Sequence, residues 1–181
     1  PAQSNSGNIF FGLLANVLYG DVVSVATIVD ILPEIKAYYD RMGFQHKSSG
    51  DIFDLFISNP YTYPLLVGYE NQLIEYAIQN SNDYSIDFLK KNIRTLYPQP
   101  TVWSSHPLIA VNEKGQRLME ALKDPEIQQI AWESHGFRSS VKGIRNDPSK
   151  HKVSGLPEVI TSIIQMPSAE TMDIILNTIK Q

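Results

Sequence analysis

The sequence predicts an α/β fold: a mixed sheet with helices on both faces. Three observations predict it. Through residues 1–100, segments with apolar residues at helical spacing alternate with short, wholly apolar runs, the pattern a layered α/β architecture requires. The run Pro64-Leu65-Leu66-Val67-Gly68-Tyr69 is apolar on both faces, which suits an interior strand. The 181 residues are 43% hydrophobic and only 19% charged, a balance that supports a packed core and argues against a disordered chain.

The elements follow in order. Ile9, Phe10, Leu13, Leu14, Val17 and Leu18 share one helical face, with Ser4 or Ser6 to cap its start and Gly20 to close it. Ile28, Ile31, Leu32, Ile35, Tyr38, Tyr39 and Met42 mark a second helix that Gly43 ends. Pro33 sits in its first turn or kinks it. After the polar turn Lys47-Ser48-Ser49-Gly50-Asp51 comes a short helix with Ile52, Phe53, Leu55 and Phe56, broken by Asn59-Pro60. Residues 65–69 read as a buried strand. Leu73, Ile74, Ala77 and Ile78 mark a helix, another short one surrounds Asp87-Phe88-Leu89, and residues 93–97 read as a strand. Tyr97-Pro98-Gln99-Pro100 is a rigid crossing segment leading into a strand over residues 101–111. Beyond it the chain is mainly helical. Asp124-Pro125 is an N-cap followed by proline at the first helical position, and Gly136 stops that helix. Residues 139–155 read as a polar surface loop, and residues 156–165 and 169–180 as two closing helices around Met166-Pro167.

Composition excludes several function classes. With no cysteine there is no disulfide, thiolate zinc site, iron–sulfur cluster or cysteine nucleophile. A net charge of -4 disfavours general nucleic-acid binding. Arg138, Lys142, Arg145, Lys150 and Lys152 form a basic cluster, but Asp147 interrupts it and no aromatics interleave, so it reads as a solvated loop. No apolar run approaches the roughly 20 residues of a membrane helix. His46, His106, His135 and His151 are widely spaced and read as surface or satisfied structural histidines. Metalloprotease, P-loop and nucleophile-elbow motifs are absent, and no metal or cofactor is expected.

Two places set small hydroxyl residues and a glycine directly before a helix: Ser4-Asn5-Ser6-Gly7 and Ser48-Ser49-Gly50. A helix start exposes unpaired N–H groups and the positive end of the dipole. Serine hydroxyls add donors, and glycine lets a ligand approach the backbone. Each place reads either as an anion site or as ordinary N-capping. Tyr69-Glu70-Asn71 follows the predicted strand, where ligands gather in α/β sheets; the alternative is a strand end with Tyr69 shielding the core.

Several ordered segments together resemble bacterial extracellular solute-binding proteins of the type II periplasmic-binding fold, in the branch that includes the molybdate-type receptors. They are Ser4-Asn5-Ser6-Gly7-Asn8; Ser49-Gly50-Asp51 with Phe53 and Phe56; Tyr63-Pro64-Leu65-Leu66-Val67-Gly68-Tyr69-Glu70-Asn71-Gln72; Ser105-His106-Pro107; Asp124-Pro125-Glu126-Ile127-Gln128; and His135-Gly136-Phe137-Arg138. The resemblance implies a fold of two α/β lobes joined by a two-strand hinge. Residues 1–103 would form the second, ligand-binding lobe. Residues 104–181 would form the return strand and the C-terminal helices of the first lobe. It also implies ligand contacts at Ser6, Gly7, Ser48, Ser49 and Tyr69. With the flanking Ser4, Asn5 and Glu70, these make up the expected site. A carboxylate at Glu70 beside a bound anion must point away or be paired.

The implied activity is capture without catalysis: the substrate-binding component of an ABC-type importer, taking an oxyanion or other small anion and presenting it to an ABC permease. A ligand-sensing domain of the same fold in a regulator or receptor is the alternative, and a hydrolase using Ser6 or Ser49 a third reading. The resemblance further implies a monomer that spans no membrane. It would be extracellular or periplasmic, with a lipid anchor carried by a part preceding Pro1.

Overall fold

A computed structural model describes residues 4–42 and 48–180. Gly43, His46 and Lys47, which the sequence reading assigned to a helix end, a histidine and a turn, lie outside the described residues. The chain divides into two compact units. Unit 1 is Pro1–Gly68, Pro98–Ser104 and Ser162–Gln181, and unit 2 is Tyr69–Tyr97 and Ser105–Thr161.

Unit 1 is a helical packing. Its helices are α1 (Asn5–Tyr19), α2 (Leu32–Arg41), α3 (Ser49–Ser58) and α8 (Ala169–Lys180), with a 3₁₀ turn at Ile28–Asp30. The apolar stripe of α1 meets α2 and α8 in a core of Phe11, Ala15, Val23, Ile28, Ile35, Ile175 and Ile179. Each large apolar side chain fully buried there contributes about 1.5–3 kcal/mol relative to exposure. Gly20 closes α1 in the left-handed conformation at φ 88, and its N–H donates to the Asn16 carbonyl. Asn16 is buried with both ends of its amide used: Nδ2 donates to the Gln165 carbonyl at 2.8 Å, and Oδ1 accepts from Val23 N–H at 3.0 Å. One side chain therefore pins the loop after α1 and the segment before α8. Ile28, read as part of the second helix, lies in a separate 3₁₀ turn, and of the two readings of Pro33 the first-turn one holds. Proline lacks an N–H, and Pro33 sits in the first turn of α2, so the 3₁₀ turn precedes it as a separate piece.

Unit 2 contains α4 (Glu70–Gln79), α5 (Asp83–Asn92), α6 (Glu113–Ala121) and α7 (Pro125–His135), with a 3₁₀ turn at Pro148–Lys150. Helix α4 packs against α5 and α7, and Ile74, Ala77, Ile86, Leu89, Ile93 and Trp132 are buried. Gly136 ends α7 at φ 70, with Gly136 N–H donating to Trp132 and Phe137 N–H to Ala131. A Cβ at Gly136 would lie 2.8 Å from that of Ile74, so the glycine also permits the α4–α7 approach. Helix α6 buries none of its residues.

The α/β mixed-sheet expectation is overturned. Among the described residues β structure is confined to one isolated parallel bridge, Thr101 with Ile163. There Thr101 N–H donates to Ser162 and Ile164 N–H to Thr101. The strand expected at 65–69 does not form, and the segment lies largely at the surface, with Leu65 79% exposed. The segments at 93–97 and 101–111 likewise carry no regular structure apart from the bridge at Thr101, and Leu96, Ile109 and Val111 are exposed. An apolar run favours extended backbone, but a strand also needs a neighbour to take its N–H and C=O groups. The closing helix expected at 156–165 does not form: the segment has no helical residue, a bend at Glu158 and the isolated bridge at Ile163. Pro157 and Pro167 push Leu156 and Met166 out of the helical region, and Thr101 takes the backbone groups on either side of Ile163. Among the described residues no helix is long and apolar enough to cross a membrane.

Candidate functional site

All eight expected site residues lie at helix starts, as a cap or in the first turn. In unit 1, Ser4 caps α1, its hydroxyl accepting from Gly7 N–H at 3.1 Å and lying 3.4 Å from the Ser6 hydroxyl. Ser4, Asn5, Ser6 and Gly7 are thus gathered at one point. No acidic residue occupies the first turn of α1. Asn8, one residue further on, has a buried Oδ1 without a hydrogen-bond partner. Ser48 caps α3 by accepting from Asp51 N–H at 3.1 Å, with Ser49 opening the helix. Asp51 sits in that first turn, so its own carboxylate already answers the dipole there. The two serine-rich starts therefore differ electrostatically, a difference their sequence similarity conceals.

In unit 2, Tyr69 and Glu70 open α4. Tyr69 N–H donates to Gln72 Oε1 and Gln72 N–H to the Tyr69 carbonyl, each at 3.2 Å. Tyr69 is partly buried. Glu70 belongs to a polar cluster that the sequence does not display. Arg138 grips its carboxylate with two bonds, Nε to Oε1 at 2.6 Å and Nη2 to Oε2 at 3.1 Å. The remaining guanidinium donors reach the carbonyls of Pro157 at 2.7 Å and Glu158 at 3.1 Å. The Tyr97 hydroxyl donates to Glu70 Oε2. Arg138 also lies over the Trp132 ring, 5.0 Å from its centroid. Its side chain is 4% exposed, so the solvated-loop reading of Arg138 is corrected. A bidentate guanidinium–carboxylate pair is the strongest arrangement for two such groups, and it explains why burial is tolerated. Burial, reinforced by the bond to Glu70 and that carboxylate's charge, pushes the Tyr97 hydroxyl far above its ordinary value, so it stays a neutral donor.

Beside this cluster, His151 is 7% exposed and packs edge-on against Trp132 at 4.5 Å between centroids. Neither ring nitrogen makes a hydrogen bond, so the satisfied-histidine reading does not hold for it. Burial lowers its pKa, against the opposing pull of Glu133, Glu70 and the nearby Trp132 backbone. Trp132 Nε1 donates to the Asp147 carbonyl at 3.0 Å. His135 instead pairs with Glu75 at 3.1 Å, and His106 lies edge-on to Phe137. Among the described residues no group of three or more His, Asp or Glu is placed to hold a metal ion.

Comparison with protein-family models, curated proteins and solved structures finds no match to this chain.

The Arg138 cluster was not foreseen because its members lie 27 and 68 residues from Glu70. The available signal was chemical. Glu70, at the head of an apolar helix, requires a cation, and Arg138 directly follows a helix-ending glycine and an aromatic residue.

Proposed function

We propose that this chain is a binding module that captures a small anion at the start of α1 and performs no reaction on it. The observation that supports this most is the electrostatic character of that helix start. Helices α2, α3, α4, α6, α7 and α8 each carry Asp or Glu in the first turn, and α1 carries none. The donors would be the Ser6 backbone N–H and the Ser6 hydroxyl, in the manner of helix-start anion sites, while the Gly7 N–H is held by the Ser4 cap. Turning the Asn8 amide would add Nδ2 as a donor. Delivery to an ABC permease outside the cytoplasmic membrane is the finer part of the proposal. It is supported by the order of sequence segments set out above, not by the fold.

Calorimetric titration with molybdate, sulfate and phosphate tests the reading. One of these is expected to bind and to raise the melting temperature, since a ligand held at 100 times its Kd adds about 2.7 kcal/mol. Ser6→Asp should abolish binding while leaving the fold intact or firmer, because a carboxylate at that position suits the dipole by about 0.3–1 kcal/mol. Absence of binding by all three anions, or unchanged binding by the Asp variant, would refute it.

A further inference from the structure

Among the described residues, the least compensated buried group is His151. Its imidazole is enclosed, has no hydrogen-bond partner at either nitrogen, and rests edge-on against Trp132. The segment around it is held down at separate points. The Asp147 carbonyl accepts from Trp132 Nε1, Lys150 pairs with Glu133 at 3.3 Å, and Arg138 donates to the carbonyls of Pro157 and Glu158. Within the segment, Ser139 and Asn146 hold each other through backbone and amide. We propose that His151 is an acid-triggered release: on gaining a proton it leaves its site against Trp132 and frees residues 139–161 from α7.

The charges facing the ring decide the direction. A proton on His151 would sit in a site that removes its hydration and leaves both ring nitrogens without a hydrogen-bond partner; the nearby Trp132 backbone favours the proton, but burial outweighs it. Glu133 on α7 favours the proton, but it is only partly buried and already paired with Lys150. Glu70 on α4 favours it too, but its carboxylate is held by Arg138 and Tyr97. Arg138 opposes the proton and already occupies a place over the Trp132 ring. The balance is a lowered pKa for the packed histidine, with burial as the leading cause. Protonation is then easier in the released form, so the packed form loses stability as pH falls below about 6.5, the free-histidine value. The loss is complete below the packed value, and above 6.5 the segment stays docked.

The experiment uses the full chain. Trp103→Phe leaves Trp132 as the only tryptophan, and its fluorescence is followed from pH 8 to pH 4. In parallel, hydrogen exchange of peptides covering residues 139–161, corrected for the intrinsic pH dependence, is read at pH 7.5 and pH 5. The expected result is a fluorescence transition below pH 6.5, with at least a tenfold loss of protection confined to that segment. In His151→Phe, which keeps an aromatic ring against Trp132, both changes should vanish. If that variant does not fold, the titration of His151 by NMR in the unmodified chain decides instead. A value at or above 6.5 would overturn the proposal, as would protection that is equal at the two pH values or a transition that survives in His151→Phe.

Discussion

The two units bury polar groups in opposite ways. Unit 1 buries an amide and a hydroxyl, Asn16 and Thr171, both neutral and both partnered. Unit 2 encloses a guanidinium–carboxylate pair and an imidazole whose nitrogens have no partner. A neutral amide needs little beyond geometry to be buried. An ion pair must offset a desolvation cost of several kcal/mol per charge, and it does so only with near-complete hydrogen bonding. The lesson is that unit 1 should be indifferent to pH across the neutral range, whereas unit 2 should respond to it. Beside its apolar core of Ile74, Ala77, Ile86, Leu89, Ile93 and Trp132, unit 2 carries a few buried charged and titratable atoms that unit 1 lacks among the described residues.

The hardest test of the contrast is Arg138→Met. It leaves Glu70 partly buried with Tyr97 alone and strips two backbone carbonyls of donors. Breaking a buried pair from one side costs about 3–5 kcal/mol. The lower end applies here, because the Glu70 side chain keeps 18% exposure. Urea unfolding followed by Trp132 fluorescence should show the loss, and adding Glu70→Gln should restore part of it. A cost under about 1 kcal/mol would place the pair with ordinary surface bridges and erase the contrast. The unit 1 counterpart, Asn16→Leu, strands the Val23 N–H and the Gln165 carbonyl. Its expected cost is about 2 kcal/mol, from the penalty of unsatisfied buried groups. Exchange protection of unit 1 amides reads that cost, which should be equal at pH 7.5 and pH 5. Smaller again is the pH effect in unit 2. Because the packed His151 binds its proton less readily than the unfolded chain does, stability present above pH 6.5 is lost below it. In His151→Phe the stability of unit 2 should be nearly flat from pH 7.5 to pH 5.5.

Legibility in the sequence follows the same division. Helix α1 was readable from Ile9 through Leu18 with Gly20, and α7 from Asp124-Pro125 and Gly136, because periodicity and caps are local. The sheet was misread for a physical reason. Residues 65–67 favour extended backbone, but pairing depends on a distant neighbour that no local pattern specifies. Residues 156–165 look helical by composition until Pro157, Pro167 and the backbone of Thr101 are weighed together. The helix starts carrying Ser4, Ser6, Ser48 and Ser49 were located correctly in the chain, because N-cap chemistry lies within three residues; Tyr69 and Glu70, read as a strand end, instead open α4. The absence of an acid at α1 beside Asp51 at α3 was also in plain view. What was not visible is which distant groups meet: Glu70 with Arg138, and Trp132 with His151.

The smallest expected effect sharpens the comparison from the other side. Lys36 and Asp40 form an ion pair four residues apart on α2 at 2.5 Å, nearly the same separation as the closest contact between Arg138 and Glu70. If distance set the worth of a bridge, the two would rank alike. They differ in solvent: Lys36 and Asp40 are 31% and 54% exposed, so water already solvates both charges and screens their attraction. Asp40→Asn keeps the size of the side chain and leaves Lys36 near the Tyr39 ring. It should cost no more than about 0.5 kcal/mol, the value of an exposed pair at this helical spacing, and raising the salt should shrink even that. The reading is thermal unfolding of the two variants side by side at low and high salt. Asp40→Asn should be salt-sensitive and nearly silent, whereas Arg138→Met should be large at both salt concentrations. Equal losses would mean that burial is not what separates the two units.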